Sequence, residues 1–341
     1  MPRIMCSPDK LDFNTPGRRD YWVTLEHGTM WGNYWIPLTV MVGPQAKPGE
    51  GVVAIGSTHG NEYEGPVAIK NLLSKINLAD VTGRIVLIPV LNPEAFRTGT
   101  RDSMGADGVN LNRAFVDGAG KAPALAGVTH RIAKFIREAI WPQVHVVLDL
   151  HSGGHLIRFS HCASYHPVAD PELDRKIDRA ARRFGVPLIM NYQNETPGLL
   201  TSEAERLGKI TVGTELGWGA AVDLRGVRWG TQGILAAAID NGQLKGSLPD
   251  IDHHADGSQV KAAIVDRECY TSAPFPGHFE ELIPCGTRVK EGETIGYLHD
   301  FARLDDAPWP CKAGVEGVIV GTAWGAVVQQ GQHIVCVGRI L

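Results

Sequence analysis

The stretch Val52-Val53-Ala54-Ile55-Gly56-Ser57-Thr58-His59-Gly60-Asn61-Glu62 decides how this chain is read. Its apolar start, Val52–Gly56, predicts a strand buried on both faces, the kind that helices cover. Beyond Glu62, Gly65–Ile76 puts Val67, Leu72, Leu73 and Ile76 on one helical side. Working outward, the same strand-then-helix pattern recurs between about Trp35 and Gly217. Strands are expected at Ile36–Val42, Arg84–Pro89, Val144–Leu150 and Ile210–Glu215. Helices are expected at Val128–Ile140 and from Asp170-Pro171, an N-cap with a proline in the first turn, to a stop at Gly185. The fold class is therefore α/β, a sheet flanked by helices.

In open α/β sheets, sites gather at the carboxyl ends of strands. His59 and Glu62 follow one such end and are three residues apart, so imidazole and carboxylate can converge on one cation. The Val144–Leu150 strand delivers His151 at its own end. Two histidines and a carboxylate, with one position left for water, form the usual ligand set of a hydrolytic zinc site. Asp149 lies two residues before His151, on the same face of the strand, where it can accept a hydrogen bond from the ligand imidazole. Glu215, ending the Ile210–Glu215 strand, is the candidate base. The long loop between the first and second ligand segments holds Asn92-Pro93-Glu94-Ala95, Thr100-Arg101 and Asn110-Leu111-Asn112-Arg113. Arg113 can grip a substrate carboxylate bidentately with Asn112 donating beside it, and Arg101 is placed to meet a scissile carbonyl.

The ordered set His59-Gly-Asn-Glu62, Asn92-Pro-x-Ala95, Thr100-Arg101, Asn112-Arg113, Asp149-Leu-His151 and Glu215-Leu-Gly217 resembles the succinylglutamate desuccinylase/aspartoacylase family, a branch of the zinc carboxypeptidase clan. The Gly56–Gly65 segment and His151-Ser-Gly-Gly154 are most similar to its deacetylases of N-acetyl diamino acids, which act in ectoine degradation. The resemblance implies a zinc-carboxypeptidase-like mixed sheet and one zinc ion held by His59, Glu62 and His151. It also implies Glu215 as general acid/base, Arg101 polarising the carbonyl, and Asn112 with Arg113 on the substrate's α-carboxylate. The implied reaction is hydrolysis of the amide bond of a small N-acyl amino acid. Three departures stand out: Asn110 where many members have Asp, Trp218 after Glu215-Leu-Gly217, and Arg158 with His155. Arg158 and Trp218 are thereby candidate substrate contacts, a salt bridge and core packing being their plainer readings.

After about Gly246 the helical period disappears. Residues 1–247, including an N-terminal extension over 1–34, are read as the catalytic domain, 248–260 as a polar linker, and 261–341 as a small all-β domain. Within the last, Gly286-x-x-Val289-x-x-Gly292-x-x-Ile295 matches Gly325-x-x-Val328-x-x-Gly331-x-x-Ile334, two copies of one strand-turn-strand unit. This part resembles the lipoyl-like barrel-sandwich fold, yet its central hairpin, Leu298–Pro308, has no carrier lysine. His253 and His254 are read as solvated linker residues, and His161, Tyr165 and His166 as loop residues near the site.

The 341 residues carry 33 Lys+Arg against 37 Asp+Glu, a net charge of −4, which gives no bulk electrostatic reason to bind nucleic acid. No apolar run approaches the about 20 residues of a membrane span. Six scattered cysteines without a Cys-x2-Cys pair suggest reduced thiols and a cytoplasmic protein. A homo-oligomer is compatible with this sequence. Two alternatives stay open: a metallocarboxypeptidase acting on peptides, and a non-catalytic binding protein.

Overall fold

The computed structural model describes residues 3–26, 31–116, 127–193, 196–248 and 259–341. One large mixed sheet runs through most of the chain. Its strands are ordered Ile4–Cys6, Gly17–Glu26, Asn33–Val42, Arg84–Ile88, Gly51–Gly56, Val144–Leu150, Ile210–Glu215, Cys162–Tyr165, Leu188–Tyr192 and Val260–Ile264. It then continues through His333–Ile340, Gly317–Ala323 and Arg288–Val289. The central strands are buried on both faces, and their alternation sorts side chains into two cores. Val52 and Ala54 join Ile69, Leu72 and Phe184 on one face. Val53 and Ile55 join Ile132, Phe135, Leu200 and Ala204 on the other. Helices Glu64–Leu73, Pro171–Arg182 and Leu224–Asp240 cover the first face, while Val128–Phe135 and Leu200–Arg206 cover the second. No helix of the described residues is long and apolar enough to cross a membrane.

The N-terminal extension belongs to the sheet. Gly17–Glu26 pairs antiparallel with Asn33–Val42 along its whole length, burying alternate Tyr21, Val23 and Leu25. The boundary expected near residue 260 falls inside a strand: Val260–Ile264 pairs parallel with Leu188–Tyr192 and antiparallel with His333–Ile340. The large sheet thus carries on into the C-terminal region. Most of the expected linker, with His253 and His254, lies outside the described residues. A second sheet of four strands, Trp309–Lys312, Thr294–His299, Gly277–Glu281 and Val327–Val328, completes an all-β C-terminal part. Its sequence repeat is a structural one. Gly286 and Gly325 have φ of 86° and 88°, Gly292 and Gly331 of 77° and 79°, and both Val289/Val328 and Ile295/Ile334 are buried.

Candidate functional site

Three neighbouring parallel strands, Gly51–Gly56, Val144–Leu150 and Ile210–Glu215, bring the candidate residues together. Their carboxyl ends open on one edge. The first leads through Ser57, whose φ of 54° is rare outside glycine, to His59 and Glu62. The second carries Asp149 and delivers His151 one residue past its end; the third ends at Glu215.

Glu62 is the hub. Its Oε1 lies 2.9 Å from His59 Nδ1 and accepts from Arg101 Nη1 at 3.0 Å. Its Oε2 lies 2.8 Å from His151 Nδ1 and accepts from the Ser152 backbone N–H at 3.1 Å. Each imidazole is held from behind. His59 Nε2 meets Asn110 Oδ1 at 3.2 Å, and His151 Nε2 meets Asp149 Oδ2 at 2.8 Å. Asp149 is itself fixed by the Thr58 hydroxyl, 2.7 Å from Oδ1. Both nitrogens of each ring thus meet an acceptor, Glu62 at Nδ1 and Asn110 or Asp149 at Nε2; a cation taking the place of the Nδ1 proton would leave each ring held through Nε2–H. Asn110 therefore positions His59.

The ligand atoms of His59, Glu62 and His151 all lie within 4.8 Å of one another, and all three residues are buried. Burial disfavours the Glu62 carboxylate, but His59 and His151 outweigh it and hold the group far below its ordinary range. Burial likewise opposes a cation at His151, yet Asp149 and Glu62 on either side hold its pKa well above the usual imidazole value. At His59 burial prevails and the pKa falls. Glu62 is thus held as the carboxylate between the two imidazoles. Two imidazole nitrogens and a carboxylate are a donor set suited to a divalent ion.

Glu215 stands beside this cluster. Among the described residues its buried Oε2 has no hydrogen bond. Burial, with the Glu62 charge adding to it, pushes the carboxyl up to about 8. A cavity of about 230 Å³ joins Glu215 to His59, Glu62, His151, Arg101, Asn112 and Arg113. Arg113 donates to the Asn112 carbonyl at 2.6 Å. Asn112 ties two elements together: Oδ1 accepts from Leu200 N–H at 2.7 Å, while Nδ2 lies 3.2 Å from His151 Nε2.

Two expected substrate contacts lie elsewhere, because they find partners on other elements. Neither Arg158 nor Trp218 lines this cavity. Arg158 pairs with Glu281 at 3.2 Å and stacks over Trp218 at 5.3 Å. Trp218 packs on His161, which reaches Asp223 at 3.0 Å. Together they brace the loop after Glu215 against the C-terminal part. Tyr165 ends a strand rather than lying in a loop. It lines the cavity with His166, as do Tyr192 and Glu205, which the sequence reading did not single out.

The loop that carries His59 leaves no room for change. A Cβ on Gly60 would sit 1.9 Å from the Ala95 carbonyl carbon and 2.0 Å from its oxygen. Backbone cannot yield as a side chain can. Gly60→Ala is expected to cost at least about 2–3 kcal/mol, visible as a lower urea midpoint; an unchanged midpoint would contradict this packing.

Fold and site define the class, an α/β protein whose strand ends present a candidate metal-hydrolase centre. The family model of the succinylglutamate desuccinylase/aspartoacylase catalytic domain matches residues 48–238, and the chain belongs to that family. It is 33% identical over 314 residues to the N-alpha-acetyl-L-2,4-diaminobutyric acid deacetylase of Halomonas elongata, covering 91% of this chain and 87% of that protein. It is also similar to the product-bound ectoine utilization protein of Ruegeria pomeroyi, with TM-score 0.85, 28% identity and coverage of 97% and 98% of the two chains. A succinylglutamate desuccinylase/aspartoacylase from Rhodobacter sphaeroides gives TM-score 0.87 at 28% identity, covering 100% of this chain and 99% of its own.

Proposed function

We propose that this chain is a zinc-dependent deacylase that hydrolyses a small N-acyl amino acid, of the N-acetyl diamino acid type, to a carboxylic acid and a free amino acid. The observation that carries the reading is the Glu215 carboxyl, its buried Oε2 without a hydrogen bond among the described residues, lining the same small cavity as the His59–Glu62–His151 cluster. When bound by those three residues, zinc supplies Lewis acidity toward the amide. Glu215 takes a proton from the attacking water and returns it to the leaving nitrogen. Arg101, already 3.0 Å from Glu62, donates to the oxygen on which negative charge develops. Arg113 binds the α-carboxylate. Asn112, which lines the same cavity, donates an amide N–H beside it.

Size favours a small substrate over a peptide. The cavity's 230 Å³ falls below the roughly 300–1,000 Å³ of typical ligand pockets. The C-terminal repeat fits a lipoyl-like barrel-sandwich, and without a hairpin lysine it serves as a brace, not a carrier. All six cysteines are free, which suits a reducing cytoplasm. The test is amine release by zinc-loaded protein. N-α-acetyl-L-2,4-diaminobutyrate should be hydrolysed well above N-acetylated dipeptides; turnover of the peptides alone would favour a carboxypeptidase instead.

A further inference from the structure

The cavity has a second charged end that the proposed reaction does not use. Glu205 and His166 line it. His166 Nδ1 lies 3.1 and 3.0 Å from the two Glu205 carboxylate oxygens, and the side chains are only 12% and 8% exposed. Two elements place this pair away from the metal cluster. Leu200–Arg206 starts at the bond between Leu200 and Asn112, and Glu205 lies five residues further on, roughly 7.5 Å along the helix axis. Cys162 is opposite Glu215 in the sheet, and His166 is four residues further down that antiparallel strand direction, roughly 13 Å at strand rise. The Glu205 carboxyl thus shares one cavity with Glu215 and the cationic Arg101 and Arg113, set along its own helix away from the Asn112 contact.

Resting on the N-acyl amino acid reading, we propose that Glu205, held by His166, binds the cationic side chain of the substrate and so selects basic over neutral or acidic amino acids. From an acetyl carbonyl carbon to the distal nitrogen of a 2,4-diamino acid is five bonds, about 6 Å extended, so the two ends of one small substrate can meet different groups lining this cavity. An anionic side chain would instead meet a buried carboxylate, and a neutral one would leave that carboxylate without a charged partner.

The test uses the full chain in two arms. In zinc-loaded protein, kcat/KM for N-α-acetyl-L-2,4-diaminobutyrate should exceed that for N-acetyl-L-norvaline by at least about tenfold, and for N-acetyl-L-aspartate by more. Glu205→Gln should remove most of the preference, raising KM for the diamino substrate about 10–100-fold and changing norvaline turnover less than about threefold. In metal-free protein, calorimetric binding of free L-2,4-diaminobutyrate should be weakened by Glu205→Gln to a similar degree, with the melting temperature checked for both proteins. Hydrolysis of all three substrates at similar rates would overturn the assignment while leaving the deacylase reading intact. So would an equal loss on every substrate. Absence of any hydrolysis would end the deacylase reading, and the calorimetric arm would still decide the subsite: unchanged diamino acid binding in Glu205→Gln would overturn it.

Discussion

Glu215→Gln is expected to lower kcat by about 10²–10⁴-fold while zinc content and melting temperature stay close to wild type. The surroundings of the carboxyl set this size of effect. The residue is half-buried, its buried Oε2 has no partner among the described residues, and desolvation of the carboxyl, with Glu62's charge adding, pushes its pKa up to about 8. An amide of the same shape fills the same volume, breaks none of its hydrogen bonds at Oε2 and does not touch the three metal donors. It cannot accept a proton. A single-turnover assay with an N-acetyl amino acid separates this from a binding defect, since KM should move little. Turnover within a few-fold of wild type would remove Glu215 from the chemistry.

Loss of the metal should be at least as damaging. Chelation, or His151→Ala, is expected to reduce turnover by at least about 10³-fold, the scale of losing one transition-state charge stabiliser. Added zinc should restore the chelated protein but not the variant. Asp149→Asn should be milder, about 10–100-fold in metal affinity, because it leaves every donor in place and weakens only the grip on His151 Nε2, now 2.8 Å from Asp149 Oδ2. Zinc titration against a competing chelator would give this order directly. A chelated protein with full activity would contradict the proposed chemistry.

Much of this arrangement is legible in the sequence, and the exceptions have physical reasons. Val144–Leu150 and Ile210–Glu215 match their expected bounds residue for residue, because central strands buried on both faces read as unbroken apolar runs. The helix Leu224–Asp240 escaped notice although Asp223 caps it, accepting from the Arg225 and Gly226 N–H groups. Its inner face is built partly from glycines. A Cβ on Gly233 would meet the Phe184 ring at 2.2 Å, and one on Gly226 the Leu216 carbonyl oxygen at 1.7 Å. Close approach there replaces the apolar stripe that periodicity detects. In the N-terminal extension Tyr21, Val23 and Leu25 alternate, but most of the long partner strand, Asn33–Val42, lies beyond the 1–34 segment and no local pattern announces the pairing.

The site divides in the same way. His59, Glu62 and His151 were legible because strand ends and ligand spacing are local properties. Their hydrogen-bond partners were not all so. Asp149 follows from strand alternation, whereas Asn110 reaches His59 across 51 residues and only the folded chain shows it. Trp218 follows Glu215 and Arg158 follows His151 by a few residues in sequence, yet the two side chains stack on each other and Arg158 pairs with Glu281. Glu205 sits on a short helix that the sequence reading did not anticipate, and its company with His166 depends on how that helix crosses the sheet.

The central claim is that one divalent ion is held by side chains from two strand ends, within reach of Glu215. Anomalous diffraction at the zinc edge from crystals of the zinc-loaded protein tests it most directly. A single strong peak bounded by His59 Nδ1, a Glu62 oxygen and His151 Nδ1 is the predicted result. No peak between those atoms, or a principal peak on other residues, would contradict it.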